Sequence, residues 1–307
     1  MMKASVIVCT FNRSNALVGL LKSLLLMSVP QDVDWEVLVV DNNSTDTTKS
    51  VVESFVAQHP HRIRYLFEGR QGKSFALNAA IQEADGEIVA LTDDDVTCHT
   101  HWLAELIGAM EKFKCAGVGG KIIPVWTVTK PSWFEDSGPH KLTPAIVSFD
   151  LGSQPVPLRI APFGANVAFR KSLFQKYGGF RTDLGLTAQD RIGGEDTEFC
   201  RRLMNAGESL YYAPEAIIYH PVENSRAQRS YFEAWYLGHG KASVRETGIP
   251  EDAMRYLGVP RYLLGNLFRS ALKWFFTLNS KRRFYYKLEV YETIGRIQES
   301  RMSAPAH

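Results

Sequence analysis

The sequence predicts an α/β protein with a doubly wound sheet and a helical C-terminal appendage, and three observations carry that prediction. Short apolar runs alternate with helix-periodic stretches through the first 123 residues. Each run ends in polar or acidic residues, as strands do when their carboxyl ends share one rim. Beyond Ser225 the chain reads as helical and aromatic throughout.

Taken in order, Ser5 to Cys9 is a short buried strand, and Thr10 to Arg13 a polar loop. A helix follows with Ser14 as its N-cap and Leu17, Leu20, Leu21, Leu24 and Leu25 on its apolar side. Trp35 to Val40 makes the second strand, which runs into DNNSTDTT at residues 41 to 48, a strand-to-helix junction rich in turn formers. Ile63 to Phe67 is the third strand; the loop EGRQGKS then leads to a helix from Ser74 to Ala84. Strand Glu87 to Leu91, the acidic triplet Asp93-Asp94-Asp95, helix Thr100 to Phe113 and strand Val118 to Ile123 complete the pattern. Four βα units in about 115 residues imply right-handed crossovers in a doubly wound sheet. From Pro124 to Ile160 periodicity is lost, as in a surface excursion that shapes an acceptor site. The chain recovers with FGANVAFR (163 to 170), a short helix, GGEDTEFCRRL (193 to 203), and two short strands, Leu210 to Tyr212 and Ile217 to Tyr219, ending at His220.

The composition is that of a globular protein, 45% hydrophobic and 22% charged, so disordered and fibrous classes are excluded. Net charge is +2, but residues 254 to 301 carry ten Lys/Arg against three Asp/Glu, which leaves the rest of the chain at −5. The four cysteines show no C-x-x-C pairing, which fits a reduced cytoplasmic interior rather than zinc or redox chemistry. No stretch offers the roughly 18 uncharged apolar residues of a membrane span. Nothing points to nucleic acid as a partner.

Three adjacent carboxylates repel one another and are costly to bury unless a cation shares the site. Hard oxygen ligands at a strand end suit Mg²⁺ or Mn²⁺ with a substrate diphosphate; a solvated acidic turn capping the next helix is the competing reading. Thr10, Phe11, Asn12, Asp41, Arg70 to Lys73 and the triplet all fall on the same rim. No G-x-G-x-x-G follows the first strand and no G-x-x-x-x-G-K-[ST] occurs, so the dinucleotide and P-loop readings lose their support. Gly72, Lys73 and Ser74 at a helix start could hold phosphate through amides and one ammonium, or be a plain turn and cap.

The motifs VIVCTFNR, VVDNNSTDTT, GRQGKSFALNAAI, VALTDDDV, FGANVAFR and GGEDTEFCRRL, in that order over residues 4 to 222, resemble the inverting family-2 glycosyltransferases. The resemblance implies a GT-A type doubly wound mixed sheet of the nucleotide-diphospho-sugar transferase kind. Its catalytic domain would span 1–225, with a donor half over about 1–123 and an acceptor half over about 160–225, leaving 226–307 as the basic, aromatic helical region. It implies a nucleotide-diphospho-sugar donor held by Thr10, Phe11, Asn12, Arg13, Gly72 and Lys73, with Asp41 near the base, Asp93 near the ribose and Asp94 beside it. Asp95, with Asp93, would ligate the metal as the D-x-D motif, and His220 would be a third ligand or a hydrogen-bonded strand-end histidine. Gly164, Ala165 and Asn166 would lie on the acceptor side. Asp196 would be the base that deprotonates the acceptor hydroxyl, with Glu195 beside it; helix capping by these acids is the alternative. Leu77 stands where the family commonly has Arg before Asn78, and the Q-x-x-R-W motif of processive synthases is missing, which implies one sugar per binding event.

Other functions are carried alongside. Asp93-x-Asp95-Val96-Thr97 fits the opening motif of haloacid-dehalogenase-like, Mg²⁺-dependent phosphatases, although four βα units have nearly passed before it. A non-catalytic sugar-nucleotide binding protein would keep the fold without the chemistry. The expected setting of the transferase is cell-envelope biogenesis, with a sugar or lipid-linked acceptor, in the cytoplasm or peripheral at the inner face of the membrane. On a helical wheel Leu264, Leu267, Phe268, Ala271, Trp274, Phe275 and Leu278 form one side. With the basic cluster that follows, this side would either meet anionic lipid or pack on the protein.

Overall fold

The computed structural model describes residues 2–187 and 192–302; the outer ends of the two expected domains, residues 1 and 307, lie outside them. The described residues divide into two units, one of residues up to 125 with 147–182 and 195–221, the other of 126–146, 183–194 and 222 onward.

The first unit contains, in order, β1 (Met2–Thr10), α1 (Ser14–Leu25), β2 (Val33–Asp41), α2 (Thr48–Gln58), β3 (Ile63–Phe67), α3 (Lys73–Glu83), β4 (Ile88–Asp93), β5 (Thr97–Cys98), α4 (Trp102–Phe113), β6 (Gly117–Trp126), β7 (Val156–Pro157), β8 (Asn166–Arg170), α5 (Ser172–Tyr177), α6 (Glu195–Asn205) and β9 (Leu210–Val222). Among the described residues the strands form one nine-stranded sheet in the order β3-β2-β1-β4-β8-β6-β9-β5, with β7 also on β9. β1 to β4 pair in parallel, and β8 then runs antiparallel to both β4 and β6. The sheet is therefore mixed and mostly parallel at its centre, as expected of a GT-A fold.

Burial explains the strand composition. Ala4, Val6, Ile7 and Val8 of β1, Val37 to Val40 of β2 and Ile88 to Leu91 of β4 are all buried, so both faces of the central sheet are covered and the strands read as continuous apolar runs. Trp102 of α4 is also fully buried, and its indole N–H donates to Asn166 Oδ1 at 2.8 Å.

The structure corrects several expected boundaries. The two short strands foreseen around Pro214 are one strand, β9. It lies beside β6 in the sheet and pairs with β7 at Tyr211–Tyr212 and with β5 at Ile218–Tyr219, on either side of the proline. Ser14 is the first helical residue rather than the cap. The cap comes from a distance: Asp46 accepts from the amides of Ser14 (3.2 Å) and Thr48 (2.9 Å) and so serves the starts of both α1 and α2. Burial pushes the Asp46 carboxyl up, but these bonds and the Thr48 hydroxyl outweigh it and hold the group down at about 2.

The second unit is built on α7 (Arg229–Thr247) and α9 (Ser280–Met302), together with the hairpin β10 (Arg255–Tyr256) and β11 (Val259–Pro260) and the helix α8 (Arg261–Phe276). Trp133, Phe134, Phe232 and Phe284 form an edge-to-face aromatic cluster. Lys287 pairs with Glu233 at 2.6 Å and Arg245 with Glu299 at 2.8 Å, tying α9 to α7. The two helices approach until backbone meets backbone: a Cβ on Gly240 would overlap the Glu292 carbonyl oxygen, and one on Gly295 the Leu237 carbonyl oxygen. Among the described residues no helix is long and apolar enough to cross a membrane.

These contacts predict opposite signs for one substitution at two helical glycines. Gly265→Ala on α8, where a Cβ meets nothing within 4 Å, should stabilise by about 0.5–1 kcal/mol. Gly240→Ala should destabilise by about 2 kcal/mol or more because the helices must part. Denaturant unfolding of the two variants against the parent measures both.

Candidate active site

The parallel register brings the strand ends together. Thr10 pairs with Asp41 and Cys9 with Asp93, so β1, β2 and β4 deliver their last residues to one rim. β4 runs through Thr92 to Asp93, two residues beyond the expected end at Leu91, and the chain turns at Asp94 and Asp95 before β5. β5 then pairs antiparallel with β9, Cys98 against Ile218 and Thr97 against Tyr219, which sets the triplet beside His220. One ligand atom each from Asp93, Asp95 and His220 lies within 4.8 Å of the others.

That donor set fits a divalent cation, since two carboxylates and an imidazole can hold a borderline or hard ion such as Mn²⁺ or Mg²⁺. His220 is fully buried and its Nε2 lies 3.7 Å from Asp95 Oδ1, while Nδ1 lies 3.2 Å from the Pro221 carbonyl oxygen. A proton on Nδ1 donated to that carbonyl directs the Nε2 lone pair towards the carboxylates, the usual way a ligating histidine is oriented.

Two basic side chains enter the acid cluster. Arg13 Nη2 sits 2.6 Å from Asp95 Oδ2 and its Nη1 3.3 Å from Asp94 Oδ1. Lys73 Nζ donates to Asp93 Oδ1 at 2.7 Å and lies 3.8 Å from Glu195 Oε1. Burial alone would lower the Lys73 ammonium, but Asp93, Glu195 and Asp196 outweigh it and keep the group protonated. Burial raises the Asp94 carboxyl to about 6, with Asp95 and Asp93 adding to the rise and Arg13 opposing it.

Lys73 links the triplet to the other acid pair. Glu195 and Asp196 open α6, where the helix N-terminus favours negative charge. Asp196 Oδ2 accepts from the Gly164 amide, and Oδ1 from the Thr197 amide at 2.7 Å. A Cβ at 164 would stand 2.9 Å from Asp196 Oδ2 and push that carboxylate from its place, so glycine suits the position. Glu195 is buried; burial and then Asp196 push its carboxyl up to about 7, against the pull of Lys73.

The remaining expected residues have supporting positions. Asp41 is buried and accepts from the Tyr65 hydroxyl at 2.9 Å and the Ser44 amide at 2.8 Å. Asn12, with φ of 53°, ties its loop to the next through the amides of Thr45 and Asp46. Phe11 is half-buried beside it, and Thr10 is buried at the strand end. Ala165 and Asn166 are buried as well; the Asn166 amide donates to the carbonyls of Lys121 and Ala216 and accepts from Trp102, so it holds strands rather than faces solvent. Thus the structure gathers Arg13, Lys73, Asp93, Asp94, Asp95, Glu195, Asp196, Gly164 and His220, whereas Asp41, Asn12 and Asn166 act through the loops and strands beneath.

Two organising residues escaped the sequence reading. Asn42 accepts from the Gly72 amide at 2.8 Å and donates to the carbonyls of Glu68 and Arg70, folding the loop that presents Lys73. Asn78 makes a pair of 2.8 Å bonds to the backbone of Phe180. The signal for both was present, an asparagine at a strand end and another inside a helix, where a polar amide needs a partner.

The fold likeness is to sugar-nucleotide transferases. The mannosyltransferase PcManGT from Pyrobaculum calidifontis, solved in complex with GDP-Man and Mn2+, matches with a TM-score of 0.58 at 20% identity, over 97% of this chain and 73% of that one. The architecture is of the GT-A type. In sequence, the chain is 28% identical over 221 residues to the succinoglycan biosynthesis protein ExoM of Rhizobium meliloti, covering 72% of this chain and 67% of that protein. It is 24% identical over 250 residues to the glucosyl-dolichyl phosphate glucuronosyltransferase of Haloferax volcanii, covering 78% and 76%. Residues 5–178 match the model of Glycosyl transferase family 2, and the chain belongs to that family as a glycosyltransferase. Neither the phosphatase nor the non-catalytic reading finds support beside it.

The raised Glu195 carboxyl gives a pH prediction. An acid whose folded value, about 7, exceeds its unfolded value, 4.5, binds more protons folded than unfolded between the two, so its contribution to stability falls as pH rises through that window. Glu195→Gln should therefore gain stability relative to the parent between about pH 4.5 and pH 7, by on the order of 2 kcal/mol. Urea unfolding of metal-free protein at both ends of the window measures the gain; a difference that does not change with pH would contradict it.

Proposed function

We propose that the site transfers a sugar from a nucleotide-diphospho-sugar to an acceptor hydroxyl with inversion, one sugar per encounter. The observation that carries this reading is Lys73, whose ammonium lies 2.7 Å from Asp93 and 3.8 Å from Glu195, so that the triplet and the α6 acids belong to one centre. Asp93, Asp95 and His220 would hold Mn²⁺ or Mg²⁺, whose charge would offset that of a departing diphosphate.

Asp196 is the base. Its carboxylate, oriented by the Gly164 and Thr197 amides, takes the acceptor proton as the oxygen attacks the anomeric carbon and the bond to the diphosphate breaks. One base activating the acceptor for one direct displacement at the anomeric carbon gives inversion. Arg13 and Lys73 hold the acids in place and add positive charge near the phosphates. Asp41 and the loop around Asn12 would meet the nucleoside, with Gly72 and Asp94 beside the phosphates and ribose.

The relatives named for succinoglycan biosynthesis and for a dolichyl-phosphate-linked glucuronosyl transfer support an acceptor that is a polysaccharide or lipid-linked sugar of the cell envelope. GDP-Man and Mn2+ in the related mannosyltransferase support a metal-dependent sugar-nucleotide donor. The enzyme would then work in the cytoplasm, at the inner face of the membrane.

Two substitutions separate the roles. Asp95→Asn should abolish both metal-dependent donor binding and turnover while the metal-free protein keeps or gains stability, and chelation by EDTA should stop the parent. Undiminished turnover in EDTA would exclude the metal. Asp196→Asn should leave donor affinity intact and lower kcat by at least about a hundredfold. If Glu195→Gln shows that pattern instead, the base is Glu195.

A further inference from the structure

Helix α8 has two apolar faces, and only one of them is used by the fold. Leu263 is buried and Leu267, Ala271 and Trp274 are half-buried on the side where Ser270 donates to Glu289 of α9 at 3.2 Å. The wheel reading grouped Phe268, Phe275 and Leu278 with that face; the structure separates them. Phe268, Leu272, Phe275 and Phe276 point outward with 65%, 39%, 74% and 70% of their surface exposed, and Leu278 just beyond the helix is 99% exposed. At intervals of three and four they make one continuous stripe. Isolated exposed apolar residues are ordinary, but three neighbouring phenylalanines on one stripe are not.

Charge decides what covers the stripe. Residues 253 to 288 contain eight Lys/Arg and no Asp or Glu. Lys281 and Lys287 pair with Glu135 and Glu233. Among the described residues, Arg261, Arg269, Lys273, Arg282 and Arg283 have no carboxylate within ion-pair distance. Arg269 and Lys273 border the stripe on the helix itself. A second copy laid stripe to stripe would bring cations against cations, so the stripe and its border favour a partner that is apolar and anionic together.

We infer that this face of α8 docks on a membrane surface rich in acidic headgroups. The helix lies in the plane of the interface, about 24 Å long, with its phenylalanines at the headgroup–acyl boundary and its cations among the headgroups. It is too polar on its other sides to cross. This docking names the element that would hold the proposed enzyme at the membrane, and it is argued from α8 alone, independently of the transfer chemistry.

The test is co-sedimentation of the full chain with vesicles of phosphatidylcholine alone or with one third phosphatidylglycerol. The parent should bind the anionic vesicles at least about tenfold more strongly than the neutral ones, and should release them near 1 M salt, where the screening length is about 3 Å. The triple variant Phe268→Ser, Phe275→Ser, Phe276→Ser should lose at least about tenfold in binding while the melting temperature falls little, since these side chains are mostly exposed and Phe275 and Phe276 pack edge to face on each other. Arg269→Glu with Lys273→Glu should weaken binding to anionic vesicles and leave the neutral baseline alone. Parent-like binding by the triple variant, equal binding to both vesicle types, or no binding at all would overturn the inference. So would phenylalanine-dependent self-association in sedimentation velocity without vesicle binding, which would mark the stripe as a dimer face.

Discussion

Five carboxylates meet where the parallel strands end, and the fold around them is arranged to keep like charges in one place. Asp93, Asp94 and Asp95 come from the β4–β5 turn, Glu195 and Asp196 from the start of α6, and the cations that make their company tolerable are Arg13 and Lys73. The displaced carboxyls of Asp94 and Glu195 record what burial among other acids costs even with these partners present. Five acids against two cations leave room for a divalent ion, which would add positive charge beside that of Arg13 and Lys73.

Much of the remaining structure serves that arrangement. Asn42 folds the loop that carries Lys73, Asp46 fixes the two helix starts beside Arg13, and Asn166 pins β8 to its neighbours through Trp102 and two carbonyls. Glycines matter where backbone must come close. Gly164 lets its amide reach Asp196, and Gly120 leaves room for the Asn166 amide. The supporting amides therefore set the geometry of the acid centre at one remove.

The sequence was legible where one period or one strong contrast dominates. β3 and the alternation of strand and helix followed from apolar periodicity, and the acidic triplet announced itself by its cost. It was less legible where contacts over long range decide. Leu210 to Tyr212 and Ile217 to Tyr219 read as two strands where pairing makes one, β9, and Ser14 looked like a cap because nothing local shows that Asp46 reaches it from the next loop. The two-faced character of α8 is also a tertiary fact, since the periodicity marks apolar positions without saying which of them meet α9. The ordered motifs of the family supplied the centre's membership, and the structure supplied its distances.

The pairing of Arg13 with Asp95 joins residues 82 positions apart, and the imidazole of His220 comes from a strand made later still. During synthesis from the N-terminus, β1 and β4 can pair and gather the triplet well before β9 has left the ribosome. A chain stopped between α6 and β9 would carry all five acids and their arginine without the imidazole of His220. The acid centre is thus closed by the last strand of the sheet to be made.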